Sequence, residues 1–260
     1  MAQPKPRLVY VAHSQRLTPN MHRLVLAGPE LADYPNDIAS GYIKLMFNEA
    51  GQPIRSLNAK AEGTKISLRT YTIRDYDPKV PSITVDFAMH GEGQAEGIAS
   101  RWARTCQVGD EIVIGGPGPA NIVDLEADWF FFVGDMTSLP AISCNLEQLP
   151  PDAQGHAVIE VTDVKDIQPL DVPTGISIDW VVNATPGHQS ELVERTKEKT
   201  WLEGVPQIWV ACEFSNMREL RKHFKSFGAT KQNLYISSYW KAGLVEEAHK
   251  EVKRADAEAA

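Results

Sequence analysis

Arg69-Thr70-Tyr71-Thr72-Ile73-Arg74 is the run whose reading decides the fold, taken together with Val85-Asp86-Phe87-Ala88-Met89-His90 and the glycines Gly91, Gly93 and Gly97 that lead into Ala99-Ser100-Arg101-Trp102-Ala103. The first run offers cationic, aromatic and hydroxyl side chains from an extended strand. In the second, Ile83, Val85, Phe87 and Met89 share a core face by the period of two, so Asp86 and His90 point together to the other side. The glycine loop then opens a helix, whose first amides face outward with partial positive charge. A diphosphate needs N–H donors and a cation, and a flat ring needs a stacking face. The stretch supplies both and reads as a cradle for a flavin dinucleotide. The plainer alternatives are Ser100 as a simple helix cap, Arg69 as a salt-bridge partner and Tyr71 as core.

Outward from that stretch, Leu8 to Ala12, Met21 to Leu26 and Tyr42 to Phe47 read as short strands between Pro, Gly and Asn turns, as in a small antiparallel barrel. Alternation in the third places Ile43, Leu45 and Phe47 on one face and Tyr42, Lys44 and Met46 on the other. Lys44 thus projects beside an aromatic, although a solvated outer lysine is the ordinary reading of such a position. Residues 48–66 are a polar excursion. Asp110 to Ile114 closes the barrel, and Gly115-Gly116-Pro117-Gly118-Pro119 reads as a turn too rich in Gly and Pro for regular structure. A boundary near Asp124 divides the chain into 1–124 and 125–260.

Beyond it, strands alternate with helices, the pattern of a parallel sheet with crossovers. The strands are Trp129 to Val133, Ala157 to Val161, Ile176 to Val182, Ile208 to Cys212 and Leu234 to Ser237. A helix carries Leu139, Ile142, Leu146 and Leu149 and ends at Pro150-Pro151; others cover Ser190 to Thr200, Asn216 to Phe227 and Leu244 to Arg254. The charged tail from Glu246 to Glu258 reads as a solvated helix that frays. Trp102, Trp129, Trp180 and Trp209 read as core. The turn holding Gly134, Asp135 and Thr137 follows the first strand of this half, where open parallel sheets bind nucleotides. It is a sparse version of such a turn, with one glycine and an acidic neighbour.

Composition narrows the function. With 260 residues, 43% of them hydrophobic, and a formal charge of −8, the chain is an ordinary globular one whose acidic surface argues against broad nucleic-acid binding. Cys106, Cys144 and Cys212 stand far apart with no CxxC pair and read as buried thiols in a reducing compartment. The histidines lack metal-ligand spacing, so no metal site is expected. No run is long enough to span a bilayer and the start has no apolar signal core, which makes the cytoplasm the expected location.

Arg69, Tyr71 and Thr72 meet an R-x-Y-[ST] pattern and Gly97 and Ser100 a G-x-x-S pattern, which together resemble the ferredoxin-reductase superfamily. A closer resemblance is to the siderophore-interacting protein family of ferric-siderophore reductases. It is carried by Arg69 to Arg74, Val85 to Gly91, Ala99 to Ala103, Gly109-Asp110, Gly116-Pro117-Gly118, Gly134-Asp135 with Leu139-Pro140-Ala141, Arg218 to Arg221 and Tyr239-Trp240-Lys241-Ala242-Gly243, and it covers nearly the whole chain. The implied fold is an N-terminal antiparallel Greek-key β-barrel binding FAD, followed by an α/β domain of the NAD(P)H-binding type. By that resemblance Arg69 pairs with an FAD phosphate, Tyr71 lies against the flavin and Thr72 hydrogen-bonds near its reactive ring. Asp86 and His90 hold polar parts of the cofactor, and Gly97, Ala99 and Ser100 receive the pyrophosphate. Gly134, Asp135 and Thr137 are the matching nicotinamide positions. Lys44 and Lys241 are the matching contacts for a ferric siderophore; where the family can use a third basic residue, Pro119, Ala120 and Asn121 stand, and Lys241 takes a place where arginine is common.

The implied activity is reduction of Fe(III) in a bound siderophore, with NADH, NADPH or ferredoxin as the electron donor. The flavin carries the redox chemistry, so no catalytic side chain is nominated. The competing expectations are an NAD(P)H-dependent flavin or ferredoxin reductase of the same superfamily and a non-catalytic siderophore-binding protein.

Overall fold

Every second side chain of the strand Tyr42–Phe47 is fully covered, Ile43, Leu45 and Phe47 on the inside with Tyr42, Lys44 and Met46 half-buried opposite, as a pleated strand with one face on a core requires. This strand, β3, belongs to a computed structural model that describes residues 5–89 and 96–258. The chain divides into two compact units, Met1–Asn121 and Ile122–Ala260.

The first unit is a seven-stranded antiparallel sheet built from β1 (Arg7–Thr18), β2 (Met21–Ala27), β3, β4 (Ser67–Thr72), β5 (Asp75–Asp77), β6 (Ser82–Ala88) and β7 (Glu111–Gly118) in the order β4-β3-β7-β1-β2-β6-β5. The last strand returns to lie between β3 and β1, the Greek-key crossing. Its two edges are one continuous stretch of chain, since β4 runs through Ile73 and Arg74 into β5, and the Arg74 amide donates to the Thr84 carbonyl of β6 at 2.8 Å. The sheet therefore curls into a barrel around Val9, Leu24, Ile43, Phe47, Val85 and Phe87. A helix, α1 (Ile98–Thr105), seats Trp102 edge-on against Phe47 and Phe87, with centroids 6.2 and 6.3 Å away.

One expectation for this unit fails. Gly115 to Gly118 does not leave the sheet as a turn but continues β7, with Tyr42 opposite Gly118, Lys44 opposite Gly115, and a register shift between them. The glycine serves packing across the pair: a Cβ on Gly118 would lie 2.0 Å from the Tyr42 ring. Local composition signals a turn, and the partner strand overrides it.

The second unit holds β8 (Trp129–Asp135), β9 (Gln154–Val161), β10 (Gly175–Val182), β11 (Pro206–Glu213) and β12 (Leu234–Trp240), all parallel, in the order β10-β9-β8-β11-β12. Every residue of β8 is buried, the mark of a central strand covered on both faces. The helices are α2 (Leu139–Leu146), α3 (Leu192–Lys197), α4 (Phe214–Ser226) and α5 (Glu246–Glu258). α2 and α3 are shorter than their sequence spans suggest. Strand order reverses between β8 and β11, so Asp135 and Glu213 stand at the switch point where such sheets bind ligands.

α5 is solvated along most of its length, as expected, but one side of it is docked. His249 is 4% exposed and its Nε2 lies 2.9 Å from Ser238 Oγ; Lys253 Nζ donates to Ser237 Oγ at 2.6 Å, and Asp256 pairs with Arg221 and Arg218 at 2.7 and 3.2 Å. Polar groups, which in sequence read as solvent-facing, dock it on β12 and α4. Trp102, Trp129 and Trp209 are buried as expected, whereas Trp180 is half-buried. Cys144 and Cys212 are buried free thiols; Cys106 is less covered, and burial still pushes its thiol up to about 11.

Candidate functional site: a barrel surface and a strand-end cluster

On β4, Arg69, Tyr71 and Thr72 stand opposite Leu45, Ile43 and Tyr42 of β3. Arg69 is half-buried, its guanidinium donating from Nη1 to the Leu68 carbonyl at 2.7 Å and to Ser67 Oγ at 3.1 Å. Tyr71 rests on Phe87, centroids 4.3 Å apart and planes tilted by 39°. Because Phe87 also touches Trp102, β4, β6 and α1 meet at this aromatic contact.

Gly97 is the N-cap of α1 and makes no side-chain cap, and Ala99 and Ser100 form its buried first turn. The plainer reading of Ser100 as the cap therefore fails; its hydroxyl points to Met89 Sδ, 3.7 Å away. Just before the helix, buried Glu96 accepts from Arg104 at 2.9 and 2.8 Å and lies 3.8 Å from Arg101, a clamp that only the folded pairing reveals. His90 lies outside the described residues, as do Gly91 and Gly93.

Asp86 is 7% exposed, and both its oxygens accept from one partner, Arg23, at 2.6 Å from Nε and 2.7 Å from Nη2. This is the bidentate fork that suits a buried carboxylate. Arg23 was not singled out in sequence; its only signal is its place on β2 opposite Asp86.

In the second unit, three strands end in buried carboxylates. Asp135 accepts from Trp240 Nε1 at 2.8 Å and from the amide and hydroxyl of Thr137 at 2.9 and 2.6 Å; burial outweighs these bonds and raises its pKa. Glu160, opposite Asp135 on β9, accepts from Asn183 at 3.2 Å and from Ser190. Burial raises it too, and the nearby Asp135 and Glu213 charges add to the rise. Glu213 caps α4 through the Ser215 and Asn216 amides and takes the Ala242 amide at 3.2 Å. Cys212, buried beside all three, has its thiol pushed well above the usual range, first by burial and then by their charges. Gly134 leaves room for the protein itself: a Cβ would lie 2.1 Å from Ser138 Oγ and 2.6 Å from Ile142 Cδ1.

Lys44 and Lys241 each sit near an aromatic ring, Lys44 Nζ 5.8 Å from the Tyr42 centroid and Lys241 Nζ 4.5 Å from that of Phe214. Among the described residues neither lysine is in an ion pair.

Comparison with known proteins fits this arrangement. Residues 10–121 match the family described as the siderophore-interacting FAD-binding domain, and residues 127–243 match that described as siderophore-interacting protein. The ferric vibriobactin reductase ViuB of Vibrio cholerae is 30% identical, over 95% of this chain and 93% of that protein. The chain belongs to the siderophore-interacting protein family. Among solved members, SipS from Aeromonas hydrophila superposes with a TM-score of 0.85 at 33% identity, covering 98% of this chain and 99% of the other. The NADPH-dependent ferric-chelate reductase of Escherichia coli is 24% identical over 91% of this chain and 93% of that protein. Ferredoxin-NADP+ reductase from Plasmodium falciparum shares the fold, with a TM-score of 0.65 at 14% identity.

Proposed function

We propose that this member is a ferric-siderophore reductase that holds FAD on its first unit and releases iron by reducing Fe(III) in a bound siderophore. The observation that carries the reading is the first turn of α1, where buried Ala99 and Ser100 follow Gly97, an N-cap residue that makes no side-chain hydrogen bond to the helix's first amides. Uncapped amides fit a pyrophosphate, and half-buried Arg69 and Tyr71 add the cation and the ring face. Bound FAD supplies the redox chemistry, taking electrons from a donor and giving them singly to the iron.

The chain's own residues position and attract. Arg69 neutralises a phosphate, Gly97, Ala99 and Ser100 offer the amides, Tyr71 lies along the flavin and Thr72 donates near its reactive edge. Asp86 acts through Arg23, orienting that guanidinium on the barrel surface, and His90 completes the polar contacts. Lys44 and Lys241 draw in the ferric chelate. Reduction is the release step because ferrous iron binds hard oxygen donors more weakly than ferric iron.

For the donor, two readings compete. The name of the Escherichia coli relative supports NADPH, for which Gly134, Asp135 and Thr137 are the nicotinamide positions. The strand ends favour a ferredoxin: Glu213 already uses the donors at the start of α4, and Asp135 and Glu160 are buried carboxylates close to it, so a nucleotide phosphate would meet carboxylates there. Both donors are cytoplasmic, and no described helix is long and apolar enough to cross a membrane. The test has two parts. The purified protein carries a flavin spectrum that Arg69→Ala loses. Anaerobic mixing with NADH, NADPH or reduced ferredoxin, each alone, identifies the donor by bleaching, and a ferric siderophore then restores colour as a ferrous chelator reports Fe(II). A protein that takes up no FAD at any concentration refutes the reading.

A further inference from the structure

The chain segments that leave the two edge strands of the second sheet meet over its middle. β10 and β12 lie at opposite edges of the order β10-β9-β8-β11-β12, four strand spacings or about 19 Å apart. Yet a Cβ on Gly187, in the loop after β10, would lie 2.8 Å from Ala242 Cβ and 3.0 Å from Cη2 of Trp240, the last residue of β12. From Val182 to Gly187 even an extended chain covers at most about 18 Å. The loop therefore crosses the ends of β9 and β8, and the indole leans inward to meet it. The indole does so across the end of β11: its Nε1 donates to Asp135 Oδ2, at the end of β8, at 2.8 Å. Both sides of this roof are fastened. Glu160 accepts from Ser190 and Asn183, Asn183 Nδ2 also donates to the His188 carbonyl at 3.1 Å, and Glu213 takes the Ala242 amide. Gly187 has a φ of 83°, which glycine adopts without strain. Beneath the roof Asp135, Glu160 and Glu213 are 5, 3 and 4% exposed.

We infer that Trp240, pinned by Asp135 and met by the Gly187 loop, decides which electron donor can bind, by closing the crevice between β8 and β11 to nicotinamide dinucleotides. The inference rests on the reductase reading above, leaves its ferredoxin as the donor, and names the residue responsible. The switch point is where an open parallel sheet takes a nucleotide, and here the chain's own indole lies across it. A dinucleotide entering the crevice has to break a hydrogen bond to a buried carboxylate and lift the loop from the ring. Only molecules in which both have moved can bind, so the apparent Kd rises as that fraction falls. The turn below adds to the barrier. Ser138 Oγ and Ile142 Cδ1 crowd Gly134 to within 2.1 and 2.6 Å of where its Cβ would be, so its bare backbone serves packing and leaves no berth for a phosphate. A protein carrier gives its electrons from outside and needs no such entry.

The experiment measures binding of NADP+ and of NAD+ to the full chain by equilibrium dialysis, which reads the crevice without any redox step. The unmodified protein binds both with a Kd above about 1 mM, the upper end of ordinary KM values. Trp240→Ala tightens at least one of them by about tenfold. Trp240→Phe keeps a ring in the space and removes only the donor; it tightens the same nucleotide by at least about threefold and covers the case in which the alanine variant does not fold. Gly187→Ala wedges the roof from the other side and acts in the same direction. Combined with Trp240→Ala it adds little, because the two changes open one contact. Trp201→Phe, whose ring packs on Trp129 at the opposite end of β8, changes neither Kd. Tighter binding than about 1 mM by the unmodified protein overturns the inference. So does a gain below about threefold in both Trp240 variants, or an equal gain in Trp201→Phe, which marks general loosening. Those results spare the reductase, since flavin content and Fe(II) release by the photoreduced protein are read separately on the same samples. A protein that takes up no flavin or releases no Fe(II) fails the reductase reading instead, and the nucleotide Kd values still decide whether the crevice is closed.

Discussion

Replacing Arg23 by Ala strips from the Asp86 carboxylate the two hydrogen bonds it accepts among the described residues. The Asp86 side chain is 6% exposed and that of Arg23 30%, and the pair is closed by contacts of 2.6 and 2.7 Å. Losing one member of a buried pair costs about 3–5 kcal/mol; with the Arg23 side of the pair open to water, the lower end applies, about 3 kcal/mol. For a unit of this size that lowers Tm by roughly 10 °C. Asp86→Ala costs less, because the freed guanidinium can hydrate, and the double change Arg23→Met with Asp86→Leu recovers most of the loss, since no charge is left buried. Urea unfolding of the four proteins, followed by tryptophan fluorescence and run as a double-mutant cycle, gives the coupling. A loss below about 0.5 kcal/mol in Arg23→Ala, the size of an ordinary surface change, would refute the argument. FAD content measured on the same samples separates support of the barrel surface from direct contact with the cofactor.

Other consequences are as concrete. Gly118→Ala forces the Tyr42 ring off β7 and costs about 1–3 kcal/mol by overpacking, a loss that largely disappears in a Tyr42→Ala background under the same unfolding assay. His249 has its pKa lowered from 6.5, first by burial and then by Lys253; Lys241 lowers it further, while Glu246 and Glu213 act the other way. The unfolded chain therefore binds the proton more readily, so the docking of α5 is fully stabilised above pH about 6.5 and weakens as pH falls below it. Hydrogen exchange in α5 rises accordingly, and His249→Gln flattens the dependence. Neutralising Lys44 and Lys241 together raises the apparent KM for an anionic ferric siderophore by about fivefold per charge and leaves FAD content unchanged, as steady-state kinetics beside a flavin spectrum show.

The parts of the fold legible in sequence are those set by a local period. Alternation in Tyr42 to Phe47 and Ile83 to Met89 announces half-buried antiparallel strands, and the unbroken apolar run at Trp129 to Val133 announces a central parallel one. What escaped depends on partners distant in the chain. Gly115 to Gly118 stays in a strand because β3 pairs with it and Tyr42 needs its bare backbone. α5 docks through His249, Lys253 and Asp256, whose counterparts lie on β12 and α4, and no helical apolar stripe advertises it. Arg23 matters through Asp86, and Glu96 through Arg104, pairings that are fixed only in three dimensions. The resemblance supplied the proposed cofactor contacts, whereas the carboxylate at each of three strand ends belongs to no motif that the sequence reading used.

Glu213 joins two places that are far apart in sequence. One oxygen secures the start of α4 and the other the Ala242 amide, next to Lys241. The ammonium beside Phe214 thus stands on a short, braced turn, so little of its freedom remains to be lost when an anion arrives. Loosening that brace with Glu213→Ala would slacken the grip on a charged guest without touching any atom that meets it, and the deficit would show as a faster off-rate.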